Sequence, residues 1–367
     1  MNDVEELKQF VVAHAKAQGL PEERYRGVLG RIRNDDEGSP GSWTAQWSAA
    51  GAELADQGRH LEAAGCYNMA RFPFVDGPAR QAALGSCVDL FGAWAQAQQG
   101  LKRLDVDLPT GRVACWVGGL SATPRPLVIL MGGIVSVKEQ WGPILPQADR
   151  LGLTIAVTEM PGVGENTLRY DLDSRRMLPA VVEAVQRHSK VSSVLASGLS
   201  FSGHLALRWA AEDPRVRGLL TVGAPISEFF TDADWFRQLP RVTVDTLVHL
   251  TGTPEKELLD MFRTEGWALS PDMLRSLDIP VYYTASRRDE IIPQGDIRLL
   301  RENVRRLSLN EYDDVHGSPE HSAEIRLWVP NSLLRMSGAR SPQRVVLGTL
   351  LGAMRLRRRL AGTSARH

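Results

Sequence analysis

Hydrophobic residues recur at three- and four-residue spacing through the first part of the chain. Residues 4–18, 43–57, 60–71 and 78–98 show this pattern among Ala, Leu, Glu and Gln, which predicts amphipathic helices. Residues 33–41 are rich in Asn, Asp, Gly, Ser and Pro and indicate a loop. We therefore expect residues 1–105 to form an N-terminal helical domain.

Short strand-like runs replace this pattern further along the chain. They cover residues 112–117, 126–131, 153–158, 192–196, 216–222, 279–284 and 307–312, and helical patterns such as 174–188 and 205–211 separate them. Apolar strands that alternate with helices are typical of a mostly parallel sheet covered on both faces. Residues 106–335 are therefore predicted to be an α/β domain.

Two segments do not fit a plain alternation of strands and helices. The connection between the strands at 216–222 and 279–284 is too long for one crossover, so residues 226–276 are predicted to be an inserted helical cap. Residues 336–367 form a basic tail. A solvated helix end is the favoured interpretation of this tail, with a dimer arm and an anionic-surface contact as alternatives.

Composition narrows the class of protein. Lys+Arg and Asp+Glu both number 43, which argues against bulk binding of nucleic acid. The chain has 3 cysteines without metal-type spacing, no Gly-x-x-x-x-Gly-Lys-Ser/Thr motif and no apolar run long enough to span a membrane. The acidic N-terminus lacks the features of a signal peptide. We expect a cytoplasmic protein with a small-molecule substrate, no cofactor and no metal.

The most informative motif is Gly198-Leu-Ser200-Phe-Ser202-Gly203, between an apolar strand and an Ala/Leu-rich helix. A nucleophile elbow needs this context, because a sharp strand-to-helix turn holds the central serine above the sheet edge. The residues two positions before and after that serine must be small, as Gly198 and Ser202 are. Ser200 is therefore the candidate nucleophile, although a Ser/Gly-rich connection without chemistry shows the same letters.

A serine nucleophile needs a base, and the base needs an acid that orients it. In α/β-hydrolases the acid and the histidine follow the serine in that order. Asp289 stands just after the strand at 279–284 and is the predicted acid, with Glu290 as second choice. His316 follows the strand at 307–312 and is the predicted base, with His321 as the alternative. The fold predicted from this order is an α/β-hydrolase.

The oxyanion formed by serine attack needs two preorganised N–H donors. The amide of Phe201, directly after the nucleophile, is one predicted donor. The amide of Ile134 is the other, since Gly132-Gly133-Ile134 follows the strand at 126–131. A plain tight turn is the alternative interpretation of the two glycines.

Several motifs resemble one branch of the α/β-hydrolases. Residues 132–139 (GGIVSVKE), which we call the oxyanion loop, resemble its "GG-x-x-S-x-K-E" motif, and residues 159–165 (EMPGVGE) resemble its "D-x-P-G-x-G-E" motif. Residues 66–73 (CYNMARFP) and 76–80 (DGPAR) resemble its helical N-terminal segment. The branch includes FrsA-like esterases, 2,6-dihydroxypseudooxynicotine hydrolase, polyketide-shortening fungal hydrolases and members from actinomycete polyketide clusters. The resemblance extends from about residue 52 to residue 328.

This resemblance implies a Ser-Asp-His triad at Ser200, Asp289 and His316, and acyl cleavage of a C–O or C–C bond beneath a helical cap. It also implies a homodimer and a bracing role for residues 138 and 139 in the oxyanion loop. The residues predicted to contact substrate are Gly133, Lys138, Glu139, Glu228 and Trp235.

The predicted function is a serine-dependent hydrolase that cleaves an ester or a β-dicarbonyl C–C bond of a small molecule, such as a polyketide intermediate. An acetate-eliminating lyase or an acyl-transfer enzyme on the same scaffold is the first alternative. A non-catalytic ligand-binding homologue is the second. The large cap residues Trp235, Phe236, Phe262 and Trp267 are candidates for lining an apolar pocket, or for ordinary packing.

Overall fold

The computed structural model of the protein describes residues 2–338 and 341–364. No helix in these ranges is long and apolar enough to cross a membrane.

Five helices precede the first strand: α1 (Val4–Ala17), α2 (Glu22–Arg31), α3 (Trp43–Asp56), α4 (His60–Arg71) and α5 (Pro78–Gln96). They share a core that includes the fully buried Trp43 and Trp47. The Trp43 indole donates a 2.7 Å hydrogen bond to the Met69 carbonyl and so ties α3 to α4. Helix α2 was not predicted, because only Tyr25 and Val28 on it are buried and two glycines interrupt its pattern.

One sheet of eight strands organises the rest of the chain. The strands are β1 (Lys102–Leu108), β2 (Gly111–Gly118), β3 (Arg125–Met131), β4 (Thr154–Thr158), β5 (Val191–Leu199), β6 (Val216–Val222), β7 (Val281–Ser286) and β8 (Leu307–Tyr312). Their order is β1-β2-β4-β3-β5-β6-β7-β8. The pairs β1/β2 and β2/β4 are antiparallel, and all other pairs are parallel. This mostly parallel sheet is that of an α/β-hydrolase, as predicted. Strand β1 was not predicted, although Leu104, Val106 and Leu108 alternate with charged residues along it as in a half-buried strand.

Helices flank the sheet, and the chain after β3, β4, β5, β7 and β8 leads into one of them. They are α6 (Lys138–Trp141), α7 (Ala148–Leu151), α8 (Met177–Gln186), α9 (Phe201–Glu212), α15 (Gln294–Asn303) and α16 (Ser322–Met336). The carboxyl ends of parallel strands meet at one edge of the sheet, where the crossover loops start. The loops after β3, β5, β6, β7 and β8 therefore converge there.

The connection between β6 and β7 is helical. It contains α10 (Glu228–Thr231), α11 (Ala233–Phe236), α12 (Arg241–Thr251), α13 (Glu255–Glu265) and α14 (Pro271–Ser276). Phe262 and Trp267 are fully buried and pack with their ring centroids 5.0 Å apart. Phe236 and the α10 phenylalanines contact the same cluster. Of the large cap residues named above, Phe236, Phe262 and Trp267 thus serve as packing residues.

The basic tail contains a helix, α17 (Pro342–Ser364), that packs against α16. Arg355 and Arg358 lie 2.7 and 3.0 Å from the carboxylate of Glu324, which is buried on α16. The Arg358 guanidinium also lies 5.3 Å from the centre of the Tyr312 ring. Both arginine side chains remain partly exposed, at 36% and 51%, while they bind this buried carboxylate. Residues 339–340 and 365–367 of the predicted tail lie outside the described residues.

Candidate active site

The turn between β5 and α9 has the geometry of a nucleophile elbow. Ser200 has φ 58° and ψ −130°, a conformation that costs a non-glycine residue free energy. A Cβ on Gly198 would lie 2.5 Å from the carbonyl oxygen of Ser202, so only glycine fits at that position. The Ser202 hydroxyl donates to the carbonyls of Met131 and Leu199, which fixes the first turn of α9. The backbone thus holds Ser200 at the carboxyl end of the central strand.

Ser200, His316 and Asp289 form one chain of hydrogen bonds. Ser200 Oγ lies 3.0 Å from His316 Nε2. His316 Nδ1 lies 3.0 Å from each carboxylate oxygen of Asp289. Asp289 Oδ1 also accepts the amides of Ile291 and Ile292, at 3.0 and 2.8 Å, which fixes the carboxylate. The three residues come from loops after β5, β7 and β8 and meet as their chain order predicts.

The environment of His316 favours its protonated form. Burial alone would lower the pKa of the imidazole, but the Asp289 carboxylate, with a smaller contribution from Glu290, raises it above 6.5. Because Asp289 holds the proton on Nδ1, Nε2 is free to accept the proton of Ser200. The arrangement can therefore perform general base catalysis on a serine hydroxyl.

Gly223, directly after β6, contacts the triad but was not predicted as a site residue. Its φ is 61°, and a Cβ there would lie 2.8 Å from Cε1 of His316. A side chain at this position would push the imidazole out of line. The signal was present, since a glycine ends the apolar run at 216–222 on the strand next to the elbow.

The two alternative residues have other partners. The carboxylate of Glu290, second choice for the acid, accepts the backbone amide of His316 at 3.0 Å. His321, the alternative base, has its Nδ1 2.9 Å from Oδ2 of a different acid, Asp314. Its ring stacks on Tyr312. The geometry therefore places His316, and not His321, beside Ser200.

The oxyanion loop passes directly over Ser200. A Cβ on Gly133 would lie 3.1 Å from Cβ and 3.6 Å from Oγ of Ser200, so glycine allows this close approach. The Gly133 carbonyl accepts the Ser136 amide at 3.0 Å. The C=O and N–H of a trans peptide point in opposite directions. The Ile134 amide, which shares its peptide with the Gly133 carbonyl, therefore points out of this turn.

Lys138 and Glu139, predicted as substrate contacts, are buried at the end of the oxyanion loop. The Lys138 ammonium is fully buried and lies 2.8, 3.2 and 2.7 Å from carboxylate oxygens of Glu139, Glu159 and Glu165. Burial raises the pKa of Glu159 to about 7, although the Lys138 charge opposes this shift. Arg103 on β1 binds Glu165 from the other side, at 2.8 Å. These side chains join the loop to the chain after β4 and do not line a surface that substrate can reach.

Glu228 and Trp235, also predicted as substrate contacts, lie against the segment that follows Asp289. The Trp235 indole donates to the Ile291 carbonyl at 2.8 Å. The Glu228 carboxylate fills the space beside Gly295. The amides of Ile226, Ser227 and Glu228 all donate to the buried Asp296 carboxylate, at 2.6 to 2.8 Å. The start of the cap is thus fastened to the acid-bearing loop.

The described residues contain no group of His, Cys, Asp and Glu side chains that could hold a metal ion. The site consists of the hydrogen-bonded triad, the glycines that allow its close contacts and the loop above Ser200.

Comparison with known proteins supports a hydrolase. The family model for FrsA-like esterases matches residues 35–303. The esterase FrsA of Vibrio vulnificus is 22% identical over 289 residues, which cover 71% of this chain and 68% of the esterase.

Two solved structures are also similar. One, AbyA5, is 48% identical, with a TM-score of 0.92 over 96% of this chain and 100% of that chain. The other, 2,6-dihydroxy-pseudo-oxynicotine hydrolase, is 20% identical with a TM-score of 0.71, over 89% of this chain and 95% of that chain. At that identity the second likeness shows the fold alone.

Proposed function

This chain belongs to the FrsA-like esterase family, and from that premise we propose that it is a serine hydrolase with Ser200 as nucleophile. His316 serves as general base and Asp289 as the acid that orients it. The observation that carries this proposal is the continuous set of 3.0 Å hydrogen bonds from Ser200 through His316 to Asp289.

The proposed reaction begins when His316 Nε2 takes the Ser200 proton and Ser200 Oγ attacks a carbonyl carbon. The amides of Phe201 and Ile134 hold the resulting oxyanion. When the tetrahedral intermediate collapses, the leaving group takes a proton from the His316 imidazolium. Water, activated by the same imidazole, then hydrolyses the acyl-enzyme and restores Ser200.

We propose an ester or a β-dicarbonyl compound as substrate, within the polyketides or other secondary metabolites. An ester loses an alcohol. A β-dicarbonyl compound loses an enolate, which must be protected from water until it is protonated at carbon. The support for this class is the resemblance of residues 132–139 and 159–165 to motifs of a branch that includes polyketide-shortening hydrolases.

Labelling with a fluorophosphonate tests the nucleophile. We expect one adduct by intact mass on the wild type and none on Ser200→Ala. Ser202→Ala is the matched control, because Ser202 shares the elbow but its hydroxyl donates to backbone carbonyls. Its adduct should remain. A wild-type protein that forms no adduct at Ser200 would reject acyl-enzyme chemistry and favour a ligand-binding role.

Product analysis distinguishes hydrolysis from the alternative reactions. After incubation with a panel of acetate esters and β-diketones, hydrolysis leaves an alcohol or a shortened ketone together with an acid. Elimination of acetate leaves an alkene, and acyl transfer leaves a new ester. An alkene as the only product would replace the hydrolase proposal with a lyase.

A further inference from the structure

Arg71, at the end of α4, is a buried cation with unusual partners. Its exposed fraction is 2%. Its guanidinium donates to Asn68 Oδ1 at 2.9 and 2.7 Å, to the Pro73 carbonyl at 3.1 Å and to the Val135 carbonyl. Among the described residues no carboxylate forms an ion pair with it. Burial lowers its pKa to about 10, so it still carries its charge at neutral pH.

A buried charge without a paired carboxylate costs free energy of folding. The hydrogen bonds of the guanidinium and the more distant charges of Glu159 and Glu139 offset part of this cost. The partners of Arg71 suggest a further reason for an arginine at this position, because Val135 belongs to the oxyanion loop and Arg71 does not belong to the α/β part of the chain.

The bond from Arg71 to Val135 acts on the peptide that shapes the oxyanion loop. The Val135 carbonyl and the Ser136 amide belong to one peptide unit. Arg71 donates to the C=O of this peptide unit. The N–H of the same unit donates to the Gly133 carbonyl at 3.0 Å. The Gly133 carbonyl in turn shares a peptide with the Ile134 amide, which points the opposite way. Two peptide units thus connect the guanidinium to the amide proposed to hold the oxyanion.

The same N-terminal helices hold the far end of the loop. Asn68 Nδ2 lies 3.4 Å from Gln140 Oε1, on the short helix α6 that follows the loop. His14 Nδ1 on α1 lies 3.3 Å from the same oxygen. Contacts from α1 and α4 therefore reach the oxyanion loop at Val135 and the helix that follows it at Gln140.

We propose that Arg71 is a positioning residue of the oxyanion hole, and that the N-terminal helices complete the catalytic machinery rather than only covering it. This inference rests on the proposed function, since it requires Ser200 to react through an oxyanion at the Ile134 amide. Arg71 acts through the Val135–Ser136 peptide and touches no reacting atom.

The test is the rate of fluorophosphonate labelling as a function of pH. Arg71→Met should lower the high-pH plateau of the rate by about 10- to 100-fold, less than the complete loss of a donor. The pH midpoint should stay in place, because the groups that shift the pKa of His316 are Asp289 and Glu290. Arg71→Lys keeps a charged donor and should recover part of the rate.

Arg80→Met is the matched control. Arg80 is also a buried arginine of the N-terminal helices, but it binds the Phe72 carbonyl, Asp76 and Asp35 within that segment. Thermal unfolding first establishes that Arg80→Met is folded. The high-pH labelling rate of this variant should then be nearly that of the wild type.

Three results would overturn the inference. The first is a high-pH labelling rate of Arg71→Met equal to that of the wild type. The second is a lower rate of Arg71→Met accompanied by a shifted pH midpoint. The third is a loss of rate in Arg80→Met as large as that in Arg71→Met. If Arg71→Met does not fold, Arg71→Gln takes its place, because the shorter side chain loses the bond to the Val135 carbonyl, and a wild-type plateau for this variant rejects the role. A wild type that fails to label at Ser200 rejects the proposed function itself, which separates the two failures.

Discussion

Asp289→Asn should disable the site by reversing one hydrogen bond. Asp289 Oδ1 accepts the amides of Ile291 and Ile292, so the asparagine must keep its carbonyl oxygen in that place. Its NH₂ group then occupies the Oδ2 position, 3.0 Å from His316 Nδ1. Asp289 Oδ1 lies at the same 3.0 Å from Nδ1, but it already accepts two backbone amides. The donating NH₂ group therefore favours an accepting Nδ1, and the imidazole proton moves to Nε2. That nitrogen then donates to Ser200 instead of accepting its proton.

The expected loss is large. The corresponding change in serine proteases, which also imposes the wrong tautomer, lowers turnover about 10⁴-fold. Each factor of ten is about 1.4 kcal/mol of barrier, so the change costs about 5.5 kcal/mol. We expect a loss of this size in the fluorophosphonate labelling rate at a pH above the His316 midpoint.

Asp314→Asn provides the matched control. Asp314 is also a buried acid bound to a loop histidine, His321, at 2.9 Å. Because His321 is not hydrogen-bonded to Ser200, this variant should lose less than about 10-fold, through small shifts of the loop. An Asp289→Asn protein that stays within 10-fold of wild type would refute the tautomer argument.

Three further predictions follow from the same contacts. The labelling rate should fall as pH decreases, with a midpoint above 6.5, because Asp289 raises the pKa of His316 and only the neutral imidazole is a base; a midpoint below 6.5 contradicts this. Gly198→Ala should remain folded by circular dichroism yet label about 10²-fold more slowly, since its Cβ would displace the elbow backbone; an unchanged rate would contradict the steric argument. Lys138→Met should lower the free energy of unfolding in urea by about 3–5 kcal/mol, because three carboxylates lose their buried cation; a loss below 1 kcal/mol would show that they do not depend on it.

The sequence predicted much of the candidate site because its signals are local. Six consecutive residues are enough to predict the elbow, because the close contact between Gly198 and Ser202 leaves room for few side chains. Chain order then selected Asp289 and His316, because loops after parallel strands meet at one edge of the sheet. The fold class followed from the same alternation of strands and helices.

What the sequence could not predict depends on contacts between distant segments. Arg71 and Val135 are 64 positions apart, and no periodic pattern links them. Lys138 was expected near substrate, but its three carboxylates come together only when β3 and β4 pair. The docking of α17 was missed because Glu324, which binds its arginines, lies on another helix and looks like any surface glutamate in the sequence.

The two ends of the sheet differ in how they discourage pairing with another molecule. An open edge strand presents unpaired backbone groups and can template aggregation. Strand β1 carries charged side chains at Lys102, Arg103, Asp105 and Asp107, which oppose such stacking. Strand β8 instead has Arg355 of α17 bound to its Asn310, at 3.1 Å. Loss of α17 by proteolysis would therefore remove this partner of Asn310 at the β8 edge, whereas the charges on β1 would be unchanged.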